Sequence, residues 1–253
     1  MAESSWGHKY FSLLFPDKLD DFHNAEFQRY QLIRLLQVPP LGKGRYVAAG
    51  RFVALTRELG LPMNHLTKVL YGWHGRPRRY WRVGTGEAGA LQKDWPATRD
   101  GAYVAIGWPA LGDLSGITLN QASKDTLHGL VEAAYPDSSQ VMGRTTRQLF
   151  DFVARTEEGD VILAADGERV LGVGRVVGGY RFDSAHDFPH QRPVEWLSIE
   201  AWRMPAPEGV GSMFTQLSPE PSNRVEAERR IFGQHPMPRP VRPTSGGAAL
   251  GRV

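Results

Sequence analysis

Residues 80–116 read YWRVGTGEAGALQKDWPATRDGAYVAIGWPALGDLSG, two short apolar runs separated by a glycine-rich corner. Tyr80–Val83 and Tyr103–Ile106 are rich in aromatic and β-branched residues, which predicts strands. The second run ends on Gly107-Trp108-Pro109. Proline withholds a ladder donor and glycine marks a bend or a close approach, so Trp108 cannot lie deep in a regular sheet. An indole at such a corner can line the mouth of a pocket.

Upstream, residues 1–79 read as a helical block. Asn24 is an N-cap for a helix to about Val38, with Phe27, Tyr30, Ile33 and Leu36 on one face. Pro39-Pro40 ends it. A second helix covers about Arg45 to Leu59, with Gly60 in the C′ position and Pro62 beyond. A third runs from about Asn64 to Tyr71. Helix, Gly-Leu-Pro turn and helix give the outline of a helix-turn-helix. The polar face Asn64, His65, Thr67 and Lys68 either reads a groove or is simply solvated. The segment 72–79, with Arg76, Arg78 and Arg79 beside Trp73, has the composition of a linker and could grip phosphates.

Downstream, strands are predicted at 80–83, 103–107, 161–165, 170–177 and 194–199, with turns at Asp166-Gly167 and Gly178-Gly179. Helices are predicted at about 122–134 and 145–156. The expected class is α+β. Residues 1–79 form the helical block, residues 80–205 a small curved β-barrel with inserted helices, and residues 206–253 a Pro-rich tail. That tail holds seven prolines between Pro207 and Pro243, and one short helix near Arg224–Phe232. It reads as a linker or surface arm.

The bulk numbers exclude several classes. At 253 residues, 41% hydrophobic and 23% charged, the chain is globular. With 0 Cys it has no disulfide, thiolate metal site or Cys nucleophile. No run approaches the roughly 18 apolar residues of a membrane span, and the N-terminus lacks a signal-peptide pattern. A cytoplasmic protein is expected, with no membrane partner. The net charge of +3 is uneven: residues 1–79 hold 12 Lys and Arg against 6 Asp and Glu, residues 80–205 hold 12 against 17. A basic first block is what phosphate contact needs.

Gly84-Thr85-Gly86-Glu87-Ala88-Gly89 matches G-x-G-x-x-G after a strand. Pro96 and Gly101 argue against a long following helix, and no acidic ribose ligand follows at the expected distance, so a dinucleotide site is rejected. A P-loop is absent from the sequence. His186 and His190, with Asp183 and Asp187, have metal-like composition but lie in a loop without helical register. Ser184 lacks a nucleophile elbow. No catalytic constellation, metal or cofactor is expected.

The aromatics remain. Trp81, Trp95, Trp108, Tyr180, Phe182, Phe188, Trp196 and Trp202 fall in the β block, and most must fill its core. Two rings facing across a barrel mouth can hold a flipped base, with Asp or backbone groups reading its edge. The stretches YWRVGTG…YVAIGWPALGDLSG and GDVILAADGERVLGVGRVVGGYRFD…FPHQRPVEWL resemble the EVE-type domain of the PUA-like superfamily. The version they resemble most is that at the N-terminus of McrB-type, modification-dependent restriction NTPases. KYFSLLFPDKLDDFHNAEFQRYQLIRLLQ is similar to the helical segment that precedes it. The closing Leu250-Gly251-Arg252-Val253 is similar to the lead into the AAA+ domain of such proteins.

The resemblance implies a non-catalytic specificity module that flips a modified base of double-stranded DNA into an aromatic cage. It would serve an AAA+ motor and a nuclease subunit in defence against foreign DNA. Trp108 falls where the related YTH readers keep a cage tryptophan. Tyr180, Phe182 and Phe188 are candidates for the second wall, Tyr180 first, and Trp81 is grouped with them. Asp113 is a candidate edge reader or a cap of the following turn. Lys68, Arg76, Arg78, Arg79 and Arg192 are candidates for the DNA backbone. The rivals are a protein-interaction module with a filled barrel mouth and an RNA reader.

Overall fold

The computed structural model describes residues 4–42, 44–85, 91–208 and 211–234. Four helices lead: α1 (Ser5–Leu14), α2 (Ala25–Arg34), α3 (Arg45–Leu59) and α4 (Met63–His74). Asn24 caps α2 as its side-chain oxygen accepts from the Glu26 and Phe27 amides at 2.8 and 3.3 Å. The helix stops at Arg34, short of Val38, because Leu36 turns left-handed (φ 58°). The Leu36 and Gln37 amides then bond back to Ile33 and Leu32, closing a Schellman motif without glycine. Gly60, at φ 64°, closes α3 as its position predicts. Phe22, Leu32, Ala48, Phe52, Leu66 and Leu70 form the core of this block.

After β1 (Tyr80–Gly84) come α5 (Leu91–Asp100), β2 (Tyr103–Ile106) and a 3-10 turn at Pro109–Leu111. Helices α6 (Gln121–Ala134) and α7 (Ser139–Phe150) follow, the latter running into a π-helical turn, Asp151–Arg155. Strands β3 (Val161–Asp166), β4 (Arg169–Val176), β5 (Arg181–Phe182), β6 (His190–Ser198), β7 (Trp202–Arg203) and β8 (Phe214–Gln216) complete the sheet, and α8 (Ser222–Gln234) ends it. The strand order is β2-β6-β4-β3-β1-β8, with β5 on β6 and β7 on β4. Only β1 and β3 pair in parallel among the described strands.

Both faces of that central pair are covered, which is why both strands read as continuous apolar runs. Trp81, Val83, Ile162 and Ala164 face one core, filled by Leu127 and Val131 of α6 and Leu149 and Phe150 of α7. Tyr80, Val161, Leu163 and Ala165 face the other, covered by Ile33 of α2 and by Val225, Ala227 and Ile231 of α8. The sheet curls. Its outermost strands, β2 and β8, meet at one end, where the Gly107 amide approaches Met213 Sδ at 3.3 Å.

One expectation is corrected here. The tail is not all linker: β8 joins the sheet, and α8 covers an apolar face that the sheet could not leave in water. Glu228 of α8, 1% exposed, accepts from Tyr80 Oη at 2.6 Å and pairs with Arg34 of α2, tying the helical block to the sheet. The helix that follows the glycine-rich corner is short, ten residues that stop before Gly101. α5 carries Pro96 in its interior and is held by Trp95, whose ring meets Trp196 edge-on at 4.9 Å. Gly172 and Gly174 of β4 leave the room for these indoles: a β-carbon on Gly172 would stand 2.6 Å from Trp95, one on Gly174 2.9 Å from Trp196. Gly86–Gly89 of the fingerprint, the prolines from Pro236 onward and the closing Leu250–Val253 lie outside the described residues.

Candidate functional site: the Trp108 corner

Strand β2 stops at Ile106 because Pro109 cannot donate to a ladder. Between them Trp108 adopts φ 71° and ψ 53°, the left-handed region. For a bulky L-residue this costs roughly 1–2 kcal/mol, so the surroundings must impose it. They do so through backbone bonds to side chains from β6, from the C-cap of α6, and from the segments just before β5 and β8. The Trp108 carbonyl accepts from His190 Nε2 at 3.2 Å. The Ala110 amide donates to the Tyr135 hydroxyl at 3.0 Å, and the Leu114 amide to the Tyr180 hydroxyl at 3.2 Å. The Gly107 amide points at Met213 sulfur.

The proton positions along one of these chains follow from chemistry. A carbonyl only accepts, so His190 carries its proton on Nε2 and its Nδ1 is an acceptor. Tyr180 Oη, 2.7 Å from Nδ1, therefore donates to it, while accepting from Leu114. Burial keeps the His190 imidazole neutral by lowering its pKa, and burial pushes the Tyr180 phenol up to about 12, so both hold these states near neutrality. His190 is 0% exposed, and both ring nitrogens are used. Its role was not legible in the sequence beyond its place in the aromatic loop.

Around this chain the aromatic candidates converge. Trp108 is half-buried, with part of its surface packed on the inner core. Among the described residues, no other ring stacks on its indole. Tyr180 lies nearly parallel to His190 with centroids 5.9 Å apart, and Phe182 tilts against it at 5.5 Å. Phe188 lies against Gly107: its Cδ1 is 3.6 Å from where a β-carbon would stand.

Other candidates fall elsewhere. Trp81 is 0% exposed, stacks on Phe214 and donates Nε1–H to Asp160 at 2.8 Å, so it is core and cannot wall a cage. Arg192 is likewise removed from the backbone set. It is 4% exposed, and its guanidinium donates to the carbonyls of Phe152 and Val153 in the π turn and of Gly178 after β4. Asp113 has the geometry of a cap, with its two oxygens accepting from the Ser115 amide and hydroxyl at 2.9 Å each. Thr67, offered to a groove with Lys68, is buried and donates to the Met63 carbonyl, whereas Asn64, His65 and Lys68 are exposed. Arg76 is exposed. Arg78 donates to the Glu158 carbonyl, and Arg79 is paired with Glu157 at 3.3 Å. His186 pairs with Asp183, and among the described residues no group of three His, Asp or Glu is placed to hold a metal. No described helix is long and apolar enough to cross a membrane.

No curated protein matches the sequence. A family model described as a domain of unknown function, DUF8426, matches residues 81–218, from the second residue of β1 to just past β8. Because that match covers more than half of the 253 residues, the chain belongs to the DUF8426 family.

Proposed function

We propose that this chain is a non-catalytic DNA-binding module with an EVE-type, PUA-like barrel. It turns a modified base out of double-stranded DNA and stacks it on Trp108. The base is a methylated or hydroxymethylated cytosine or N6-methyladenine. The module works in the cytoplasm, where it directs an AAA+ motor and a nuclease subunit to foreign DNA. The observation that supports this reading is the corner itself: a half-exposed indole held in a strained backbone conformation, with no described ring already stacked on it. Strain of this kind clusters at ligand clamps.

Phe188, against Gly107, is the second wall, and Tyr180 belongs to the hydrogen-bonded chain through His190 that holds the Trp108 carbonyl. The energies balance. Extrusion costs a few kcal/mol, stacking returns about 1–3 kcal/mol per base, and a methyl group adds only about 1 kcal/mol. Discrimination between bases then falls to polar groups at the base edge.

The test is fluorescence-anisotropy binding to one duplex carrying each modification in turn or none, at fixed ionic strength, with Trp108→Ala beside the wild type. Tighter binding to one modified duplex, lost in the variant, is expected. Equal, salt-sensitive binding to all duplexes, indifferent to Trp108, would sink the reading.

A second reading, protein docking by residues 1–79, is favoured by α1. Its buried face is Gly7, His8 and Ser12, while Trp6 is 69% and Leu13 73% exposed. Sedimentation at rising concentration tests docking between copies of the chain. Self-association abolished in Trp6→Ser/Leu13→Ser supports docking through α1; a monomer throughout removes docking between copies.

A further inference from the structure

The far end of β8 borders a second feature. Residues 216–219 enclose a cavity of about 470 Å³ with three arginines from distant parts of the chain: Arg29 of α2, Arg147 of α7 and Arg224 of α8. Arg224 is oriented by donating one nitrogen to the carbonyls of Leu217 and Ser218 at 3.0 and 2.8 Å, and its buried Nε has no hydrogen-bond partner. The Arg147 side chain is 73% exposed and has only a loose ion pair, 3.8 Å, with Asp151. Arg29 is half-buried and makes no hydrogen bond or ion pair with a described residue. Carboxylates lie within electrostatic reach of these arginines: Glu220 of Arg29, and Glu208 and Glu26 of Arg224. Glu208 accepts from Ser218 and Asn223, and Glu220 from Ser222. The planar donor forks of three guanidinium groups around one cavity suit phosphate oxygens.

The cavity is tied to the Trp108 corner by the edge strand. Met213, just before β8, touches Gly107; Ser218 follows five residues later, a span of at most roughly 16 Å at about 3.3 Å per extended residue. That is of the order of a duplex groove, about 12 Å for the major groove.

We propose that the Arg29–Arg147–Arg224 cavity is a phosphate site, and that it takes a backbone phosphodiester of the duplex whose base is turned towards Trp108. The second half of this statement rests on the function proposed above. A free phosphate or phosphorylated small molecule shares the chemistry, so the experiment separates the two sources.

The full chain and its Arg29→Gln/Arg147→Gln variant are compared; Arg224, which holds the 217–218 carbonyls, is left intact. Each is titrated with an unmodified duplex and a modified duplex over a series of salt concentrations, and with inorganic phosphate followed by ³¹P NMR. The variant is expected to bind both duplexes about tenfold more weakly by the same factor. Its salt slope should be lower by about one, and any preference for the modified base should be kept. Unchanged duplex affinity and slope, with inorganic phosphate bound alike by both proteins, overturn the site even if Trp108→Ala abolishes base preference. Loss of phosphate binding in the variant, in a chain that prefers no modified duplex, keeps the site with a free phosphate compound as its ligand and removes the base-reading function instead.

Discussion

His190 Nε2 lies 3.2 Å from the carbonyl oxygen of Trp108, so a fully buried imidazole holds the backbone of a half-exposed indole. The bond joins the first residue of β6 to the second residue past β2, at the end of their antiparallel pairing. Replacing His190 with Phe removes a donor and an acceptor together. It leaves the Trp108 carbonyl and the Tyr180 hydroxyl without those partners. Unfolding in urea is expected to show a loss of about 1–3 kcal/mol, together with a change in indole fluorescence. Wild-type stability in this variant would show that the relay does not hold the corner.

The left-handed backbone at Trp108 makes a distinguishable prediction. Trp108→Gly and Trp108→Ala both remove the indole, but only alanine keeps the steric penalty of a positive φ. The glycine variant should be the more stable of the two by about 1 kcal/mol in chemical denaturation. Equal stabilities would mean that the corner relaxes to an ordinary conformation once the ring is gone.

Trp81 separates core from cage. Trp81→Phe keeps most of the stacking on Phe214 but deletes the N–H bond to Asp160, a carboxylate that also accepts from the Arg79 and Glu157 amides. It should lower stability by about 1–2 kcal/mol and leave relative affinity for modified and unmodified duplexes unchanged. A selective loss of modified-base binding would return Trp81 to the cage.

Gly172→Ala tests how α5 is held. The new methyl would stand 2.6 Å from the Trp95 ring, which cannot bend. A loss of about 1–3 kcal/mol is expected, with hydrogen exchange of α5 amides raised more than that of β3 and β4. Uniform exchange would show that the helix is anchored otherwise.

Acid should weaken the helical block. Burial holds both His8 and His74 down at about 4, against 6.5 in an unfolded chain. Between these values the unfolded chain binds the extra protons, so stability falls as pH drops from 6.5 towards 4. Asp20, raised to about 6 by burial, acts in the opposite sense between 3.8 and 6, because there the folded state carries the extra proton. In urea titrations at pH 7.5 and 5.0, His74→Gln should lose less stability on acidification than the wild type. An equal drop in both would assign the acid sensitivity to other groups.

Local chemistry made much of the fold legible from the sequence. Asn24 and Gly60 cap helices through bonds spanning three to five residues, and Gly167 turns β3 into β4 through its own positive φ. Gly107-Trp108-Pro109 stops a strand wherever that strand is placed. These effects depend on neighbours in the chain, so the sequence alone determined them, together with the α+β class. The tertiary structure decided what depends on closure. Val161 comes to lie parallel to Tyr80 across the intervening helices, and β8 and α8 are drawn from a proline-rich tail because the sheet has an apolar face to cover. The same closure removes Trp81 and Arg192 from solvent. It also brings His190 under Trp108, and Arg29, Arg147 and Arg224 around one cavity. Which side of a strand faces inward, and which distant side chains meet, is set by burying apolar area over the whole chain, and no window of neighbouring residues contains that information.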